Sequence, residues 1–309
     1  MNYNDYSYKV PESKMIRVIV DSDAKNEADD QYAIVQALLS PRFDVRGIVA
    51  AHYGTAKRVD SMQASYAEVK HLLSLMNFPS DIVYHGAEKA LVNEKTPEQS
   101  EGSDLIVQEA MKDDPRPLYI LFMGPLTDMA SALLQEPRIA SRCTCIWIGG
   151  NKYPEGGYEY NCGNDVNAAN CVFNSELPVW QIPRDVYVTL PVSITELEYK
   201  VRPCGELGKY LFEQLVEHGF TKEALATYRT GECWSLGDSP AVGILLYHQI
   251  YDYDWVQAPS FGTNMEYIYT KKNRPIRVYN KVHGRFILED FFCKLAMFTE
   301  KQAKKQDSN

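Results

Sequence analysis

The sequence predicts an α/β fold built on an open, mostly parallel, twisted sheet covered by helices. Runs rich in β-branched residues alternate with segments of helical apolar spacing along the 309 residues. Alternation of this kind implies a parallel sheet with both faces covered. Hydrophobic residues make up 45% of the chain and charged residues 24%, which is the composition of an ordinary globular protein with a packed core.

The first predicted unit is a strand at residues 17–20, a polar loop at 21–30 and a helix at 32–39. The same pattern repeats along the chain. Further strands are predicted at residues 45–51, 81–84, 118–123, 143–148 and 179–182, with strand material over 266–282. Further helices are predicted at residues 59–75, 126–134, 206–218 and 240–248.

The chain is predicted to form one large domain over residues 15–300, because no internal repeat or low-complexity linker interrupts it. A helical cap or insertion is expected around residues 195–237. Residues 1–14 are rich in Tyr, Asn and Ser without an apolar core, so we expect a flexible arm. The polar residues 301–309 are expected to form a frayed helix end.

Charge and cysteine content exclude several classes of partner. The net charge of -9 and the pI of about 5.3 are unsuited to a polyphosphate backbone, so we expect no nucleic acid. No apolar run is long enough to span a bilayer, so no membrane partner is expected. Of the seven cysteines, Cys143 and Cys145 alternate along a predicted strand instead of framing a zinc loop. Reduced thiols in a cytoplasmic protein are therefore expected.

The loop after the first strand is where chemistry is expected, because open parallel sheets bind ligands outside the carboxyl ends of their strands. Crowded carboxylates at this depth remain ionised together only if a cation or several hydrogen-bond donors neutralise them. Oxygen ligands without clustered His or Cys favour calcium or magnesium over zinc, and an irregular loop favours calcium. The five acids of the loop are Asp21, Asp23, Glu27, Asp29 and Asp30, against the single base Lys25.

The same acids are also compatible, in part, with a helix-dipole role, an EF-hand loop or a phosphatase motif. Asp29 and Asp30 could simply complement the dipole of the next helix, but that leaves Asp21 and Asp23 unexplained. An EF-hand loop counted from Asp21 would need glycine and glutamate where Asn26 and Tyr32 stand. A phosphatase of the haloacid dehalogenase type also opens with a strand and Asp-x-Asp, and remains the rival class. A phosphate substrate would need a basic or amide-rich cradle, and no glycine-rich phosphate loop is present.

Four sets of motifs occur in order between residues 16 and 241. They are Asp21-Ser22-Asp23 with Asp29-Asp30; Gly124-Pro125-Leu126-Thr127-Asp128 with Glu136-Pro137-Arg138-Ile139; Gly149-Gly150 with Glu159-Tyr160-Asn161 and Asp165-Val166-Asn167-Ala168-Ala169; and Asp238-Ser239-Pro240-Ala241-Val242. Together they resemble the inosine-uridine preferring nucleoside hydrolase family, which has a Rossmann-like core. The spacer before Asp29 is two residues longer than usual, which resembles a divergent branch of that superfamily.

The resemblance implies a calcium-dependent enzyme that hydrolyses the N-glycosidic bond of a ribonucleoside or related ribosyl compound, in nucleotide salvage. Asp23, Asp30, Asp238 and the backbone carbonyl of Met123 would ligate Ca²⁺, and Asp21 is a further candidate ligand. Asp23 would also be the general base. The resemblance also implies that Asp29, Glu159 and Asn161 bind the substrate. Family members are commonly dimers or tetramers, so a homodimer or homotetramer is expected.

The chain departs from the family at Gly237, where many relatives carry a histidine that protonates the leaving base. His52 and His85 follow predicted strands and are the candidate acids. Tyr228, Arg229 and Trp234 precede the Asp238 motif, where a base could stack or be protonated. Without a replacement acid, the protein could cleave only substrates with good leaving groups, or another glycoside. A non-catalytic, calcium-dependent binder of ribosyl compounds is the alternative outside enzymology.

Overall fold

The computed structural model describes residues 1–227, 231–247, 251–270 and 272–306. Its centre is a mixed sheet of eight strands, flanked by two small antiparallel pairs. In chain order the strands are β1 Ile16–Ser22, β2 Phe43–Ala50, β3 Val83–His85, β4 Leu118–Met123, β5 Thr144–Ile148, β6 Val179–Ile182, β7 Pro191–Ser193, β8 Cys233–Ser235, β9 Tyr253–Gln257, β10 Ser260–Phe261, β11 Tyr267–Ile268 and β12 Pro275–Tyr279.

Helices connect these strands and cover both faces of the sheet. In chain order they are α1 Asp30–Leu38, α2 Ser61–Leu75, α3 Glu101–Met111, α4 Thr127–Gln135, α5 Tyr160–Asn164, α6 Val166–Phe173, α7 Arg184–Tyr187, α8 Ile194–Lys200, α9 Gly205–Gly219, α10 Lys222–Thr227, α11 Ser239–Leu246 and α12 Gly284–Gln306. Two short 3-10 helices lie at Glu12–Lys14 and Pro137–Ser141.

The strand order of the sheet is β3-β2-β1-β4-β5-β6-β12-β9, and every pairing is parallel except that of β12 with β9. The chain moves outward from β1 to β3 and then returns to add β4 on the other side of β1. The carboxyl ends of β1 and β4 therefore flank the point where the connections diverge, which is where such sheets form a ligand crevice. Ser22 pairs with Met123 at this edge.

Alternate residues of β1 enter two different hydrophobic cores, because successive side chains of a strand point to opposite faces. Val18 and Val20 pack in the core formed with α1, α2, α9, α11 and α12. Ile19 packs in the core formed with α3, α4 and α6. Both cores are needed to cover the strand, which explains why its sequence is apolar at consecutive positions.

The predicted α/β sheet is confirmed, and the bounds of β4 and β6 match the prediction. The predicted strand material at residues 266–282 contains two separate strands, β11 and β12. Helix α3 and the edge strand β9 were missed. Ser100 begins α3 with a capping box whose partner is Ser103 in place of the usual Glu or Gln, so the sequence signal is unusual.

The region predicted as a helical cap contains α8, α9, α10 and β8. Helix α9 is fixed to the first βα unit by two hydrogen bonds. The Tyr32 hydroxyl donates to the Leu211 carbonyl at 2.8 Å, and Gln214 Nε2 donates to the Ala28 carbonyl at 2.9 Å. The second bond holds α9 against the acidic loop that precedes α1.

The opening segment is docked on the domain, which corrects the expectation of a free, flexible arm. The Tyr3 ring lies 6.2 Å from Phe78 and 5.7 Å from Phe298, and the Tyr6 hydroxyl donates to the Leu39 carbonyl. At the other end, α12 continues as far as Gln306, and Lys301 forms an ion pair with Asp5 at 3.1 Å. Residues 307–309 of the predicted frayed end lie outside the described residues.

Among the described residues, no disulfide bond joins any of the seven cysteines. In the described part of the chain, no helix has both the length and the apolar character needed to cross a membrane.

The docked arm should contribute to stability. Tyr3→Ala removes a ring packed against two aromatic side chains and should lower the free energy of unfolding by about 1–3 kcal/mol. Tyr8→Ala is the matched control, because Tyr8 is 56% exposed, and its cost should stay below about 0.5 kcal/mol. Urea unfolding of the two variants beside the wild type measures both values. Equal stability of Tyr3→Ala and the wild type would show that the arm is not docked in solution.

Candidate active site

The acidic loop places three carboxylates at the carboxyl end of β1. Asp23 follows the last residue of the strand, and the Asn26 N–H donates to its carbonyl to close a tight turn. Asp29 and Asp30 start α1, and all three aspartates are buried. The Asp29 side chain makes no capping hydrogen bond to the helix. Its carboxylate is therefore not used as a helix cap, which weakens the simple helix-dipole interpretation.

A fourth carboxylate comes from a part of the chain that is distant in sequence. Asp238 is the residue before α11, and its side chain also makes no capping hydrogen bond. Oxygen atoms of Asp29, Asp30 and Asp238 all lie within 4.8 Å of one another. The carboxyl groups of Asp30 and Asp238 lie close enough to share a proton. Two carboxylates can approach this closely only if a proton or a cation lies between them.

The electrostatics of this cluster fit a hard divalent cation. Burial, with the charges of Asp30, Glu27 and Asp29, raises the pKa of Asp23 well above its ordinary value. Burial also raises the pKa of Asp30 to about 7. Asp23 Oδ2 is buried without a hydrogen-bond partner among the described residues. No described lysine or arginine forms an ion pair with the four aspartates, and an all-oxygen site of this kind could hold a metal ion.

Asp21 lies outside this cluster, which corrects its inclusion among the candidate ligands. Its carboxylate is buried, and burial together with the charge of Asp128 raises its pKa well above the ordinary value. The reason is strand geometry: Asp21 is inside β1 and shares the face of Ile19, towards α4. Asp23 lies beyond the end of β1, so strand alternation does not determine its direction.

The four aspartates line one small inner pocket. Nearly all the site residues implied by the resemblance line it, including Met123 at the end of β4. The complete lining is Asp23, Asn26, Glu27, Asp29, Asp30, Met123, Ile148, Glu159, Tyr160, Asn161, Tyr187, Gly237 and Asp238.

Glu159 and Asn161 both lie at the start of α5, but they differ in how many of their oxygen atoms already accept hydrogen bonds. Glu159 is the N-cap, and its two oxygens accept hydrogen bonds from the backbone N–H groups of Gly150, Asn161 and Cys162 and from the Tyr187 hydroxyl. Asn161 donates through Nδ2 to the Ile148 carbonyl at 2.9 Å, and its Oδ1 accepts no hydrogen bond among the described residues. Asn161 is thus better placed than Glu159 to receive a new hydrogen bond.

Neither candidate histidine reaches the inner pocket. His52 is fully buried, where its Nδ1 accepts from the Gly54 N–H and its Nε2 lies 2.8 Å from Thr127 Oγ1. Burial lowers the pKa of His52 to about 4, so this ring is neutral and structural. His85 stacks on Tyr66 at 3.9 Å on the far strand β3, where its Nδ1 contacts Glu101. Both are corrections to the predicted acids.

The space beside Gly237 is occupied by Tyr187, a residue that sequence reasoning missed. A Cβ atom at Gly237 would lie 3.1 Å from the Tyr187 ring and 3.4 Å from Asp29 Oδ2. The Gly237 N–H donates to the Asp29 carboxylate. Burial and its hydrogen bond to Glu159 raise the pKa of Tyr187, so its hydroxyl remains protonated. No local motif marks Tyr187, because its role depends on α7 meeting the segment before α11.

A larger outer cleft adjoins the inner pocket and shares Asn26, Glu27, Glu159, Tyr160 and Tyr187 with it. Trp234, predicted to stack on a base, is a buried wall residue of this cleft, and its ring meets His218 edge-on at 5.3 Å. Among the described histidines, only His218 lines the cleft. The other two candidates before Asp238, Tyr228 and Arg229, lie outside the described residues.

Comparison with known proteins agrees with this geometry. The family model for inosine-uridine preferring nucleoside hydrolases matches residues 18–302. The pyrimidine-specific ribonucleoside hydrolase RihA of Salmonella paratyphi B is 24% identical over 274 residues, which cover 81% of this chain and 82% of that protein. RihA of Escherichia coli O9:H4 is 23% identical over 275 residues, with coverage of 81% and 82%.

Solved structures show the same fold at low sequence identity. A purine-preferring ribonucleoside hydrolase from Gardnerella vaginalis superposes with a TM-score of 0.76 at 19% identity, covering 92% of this chain and 99% of that one. The plant nucleoside hydrolase PpNRh1 has a TM-score of 0.72 at 18% identity, with coverage of 91% and 99%. Since the family model spans nearly the whole chain, the chain belongs to the inosine-uridine preferring nucleoside hydrolase family and is an N-glycosyl hydrolase.

Proposed function

We propose that the protein hydrolyses the N-glycosidic bond of a ribonucleoside or related ribosyl compound with the help of calcium, giving free base and ribose. One observation carries the proposal. Carboxyl groups from two distant parts of the chain, Asp30 and Asp238, contact each other, and Asp23 presents an unpartnered oxygen in the same pocket. Such a cluster is costly to bury unless it binds a cation.

The proposed calcium ligands are the carboxylates of Asp23, Asp30 and Asp238 and the backbone carbonyl of Met123. These groups are hard oxygen ligands on an irregular loop and two element ends, which suits the variable coordination of calcium better than the strict octahedron of magnesium. When bound, the cation supplies positive charge that neutralises the carboxylates and makes a water molecule more acidic.

Asp23 is the proposed general base. Its Oδ2 has no hydrogen-bond partner among the described residues and lies in the pocket wall, so it can accept a proton from an attacking water. Burial and the neighbouring carboxylates raise its pKa, which makes it a stronger base than an ordinary aspartate.

The sugar is proposed to bind between Asp29 and Asn161, which offer acceptor oxygens to its hydroxyl groups. Glu159 holds this wall in place: its hydrogen bonds join Gly150, the start of α5 and Tyr187. Loss of the base leaves positive charge on the sugar ring, and a pocket lined with carboxylates stabilises that charge. The pocket is therefore suited to dissociative cleavage at the anomeric carbon.

The chain has Gly237 where a histidine could protonate the departing base. The purine-preferring and pyrimidine-specific relatives differ in the base they accept, so they do not define the base here. Turnover of nitrophenyl riboside alone would support a preference for good leaving groups. Binding of inosine and uridine without turnover would support a non-catalytic ribosyl binder.

Calcium should stabilise the protein, and more so at higher pH. The pKa of Asp30 is raised to about 7 in the folded state, so the folded protein holds a proton that the unfolded chain releases. Stability of the metal-free protein should therefore fall as pH rises from about 4 through 7. Calcium relieves the repulsion between the carboxylates and should raise Tm more at pH 8 than at pH 6. At a calcium concentration of 100 times Kd, the total stabilisation by calcium is about 2.7 kcal/mol.

Thermal unfolding in chelator, in calcium and in equimolar magnesium at both pH values tests this expectation. Magnesium should give the smaller shift. A Tm at pH 8 that is the same with chelator and with calcium would contradict the proposed metal site.

Substitution of the two acids of the Asp-x-Asp motif should have different effects on activity and on calcium binding. Asp23→Asn should lower kcat by about 10³-fold and abolish most of the calcium-induced rise in Tm, because it removes both a ligand and the base. Asp21→Asn is the matched control, since Asp21 is equally buried but faces Asp128, and it should keep the calcium-induced rise. Base release from inosine, uridine and nitrophenyl riboside, with metal analysis, measures both effects. Full metal binding and activity in Asp23→Asn would refute its assigned roles.

A further inference from the structure

The outer cleft carries positive charge that the proposed reaction does not use. It is lined by Lys25, Lys57, Arg58 and Arg184, although the whole chain has a net charge of -9. Two of these cations are already neutralised: Lys25 pairs with Glu68 at 2.9 Å, and Arg58 pairs with Asp60 at 2.7 Å.

The other two cations, Lys57 and Arg184, have no carboxylate partner among the described residues. Lys57 Nζ donates to the neutral Asn26 Oδ1 at 2.8 Å and lies 4.6 Å from the centre of the Tyr160 ring. The exposed Arg184 side chain lies close enough to Tyr187 to act on its hydroxyl electrostatically. Tyr160 and Tyr187 line both the inner pocket and the outer cleft. Lys57 and Arg184 therefore lie near the place where the two cavities join.

The cleft also contains the carboxylates of Glu27, Glu159 and Glu223, so its lining is mixed in charge, and the influence of the cations is seen on the side of α9. Burial lowers the pKa of His218, and the charges of Lys57 and Lys25 lower it further. The same wall contains Trp234, and Tyr53 and Tyr158 contribute further aromatic lining. The cleft therefore offers rings for a planar group together with two cations, Lys57 and Arg184, that form no ion pair among the described residues. This combination can hold an anionic group of a nucleoside.

We infer that the outer cleft binds a negatively charged group of the riboside, so that the preferred substrate is an anionic ribonucleoside. This inference rests on the proposed function, since it names the substrate class of the same site. The charged group is a phosphate on the sugar or a carboxylate on the base, and Lys57 and Arg184 are its binding residues. Sequence reasoning set phosphate aside because no contiguous phosphate loop exists. The fold instead places Lys57, from the segment before α2, and Arg184, the first residue of α7, in the lining of one cleft.

The alternative explanation is that Lys57 only offsets the acids of the inner pocket. Its charge does lower the pKa of Asp23. In that case its removal would affect neutral and anionic substrates equally. The ratio of kcat/KM for an anionic riboside to that for its neutral parent separates the two explanations, because effects on the shared chemistry cancel.

The test compares inosine 5′-monophosphate with inosine and orotidine with uridine, with release of base and of ribose 5-phosphate or ribose as the readout. The calcium-loaded wild type should favour at least one anionic member by about tenfold or more in kcat/KM, less so at high ionic strength. Lys57→Gln and Arg184→Gln should each reduce that ratio about fivefold. The control is Lys70→Gln, which removes another lysine placed over a tyrosine ring, 5.3 Å from Tyr66, and should leave the ratio unchanged.

Preference for the phosphate or for the carboxylate member identifies which group the cleft binds. Equal or lower kcat/KM for both anionic substrates, with inosine or uridine hydrolysed, would overturn the inference and leave the proposed function intact. If no riboside is hydrolysed, calorimetric binding decides: ribose 5-phosphate should bind tighter than ribose, or orotate tighter than uracil, and weakening by Lys57→Gln should follow. Equal binding within both pairs would overturn the inference at that level.

Discussion

The mutual repulsion of buried carboxylates is the constraint on which the rest of this active site depends. Asp23, Asp29, Asp30 and Asp238 are placed within one small pocket, and no described basic side chain forms an ion pair with any of them. Their pKa values are raised, so the arrangement is unfavourable for the bare ionised protein. The folded scaffold must overcome that repulsion, which a divalent cation bound among these carboxylates would remove. In the proposed mechanism the negative charge of the carboxylates also stabilises a positively charged sugar.

The scaffold meets this demand through its topology. The divergence of the connections at β1 and β4 leaves a crevice at one edge of the sheet, and buried apolar residues on both faces of β1 anchor that edge in the two cores. Helix α11 then brings Asp238 to the crevice from a point more than 200 residues along the chain. A site assembled from several elements can tolerate charge repulsion because each element is anchored by its own core contacts.

The sequence was sufficient where the signal is local and insufficient where it depends on tertiary contacts. Strand β4 is a continuous apolar run between turns, so its bounds could be predicted. Asp30 and Asp238 could be identified from ordered motifs. His52 could not be judged, because its burial against Thr127 arises only in the fold. The same holds for Tyr187, which matters only because it fills the space beside Gly237.

Direct location of the cation tests the central claim. The measurement is a crystal structure of the protein grown with calcium and soaked with manganese, with the anomalous difference map showing the metal position. The expected result is one strong peak bounded by oxygens of Asp23, Asp30 and Asp238 and by the Met123 carbonyl. A map without a peak in that pocket, or with Asp238 turned away from Asp30, would contradict a metal-centred site.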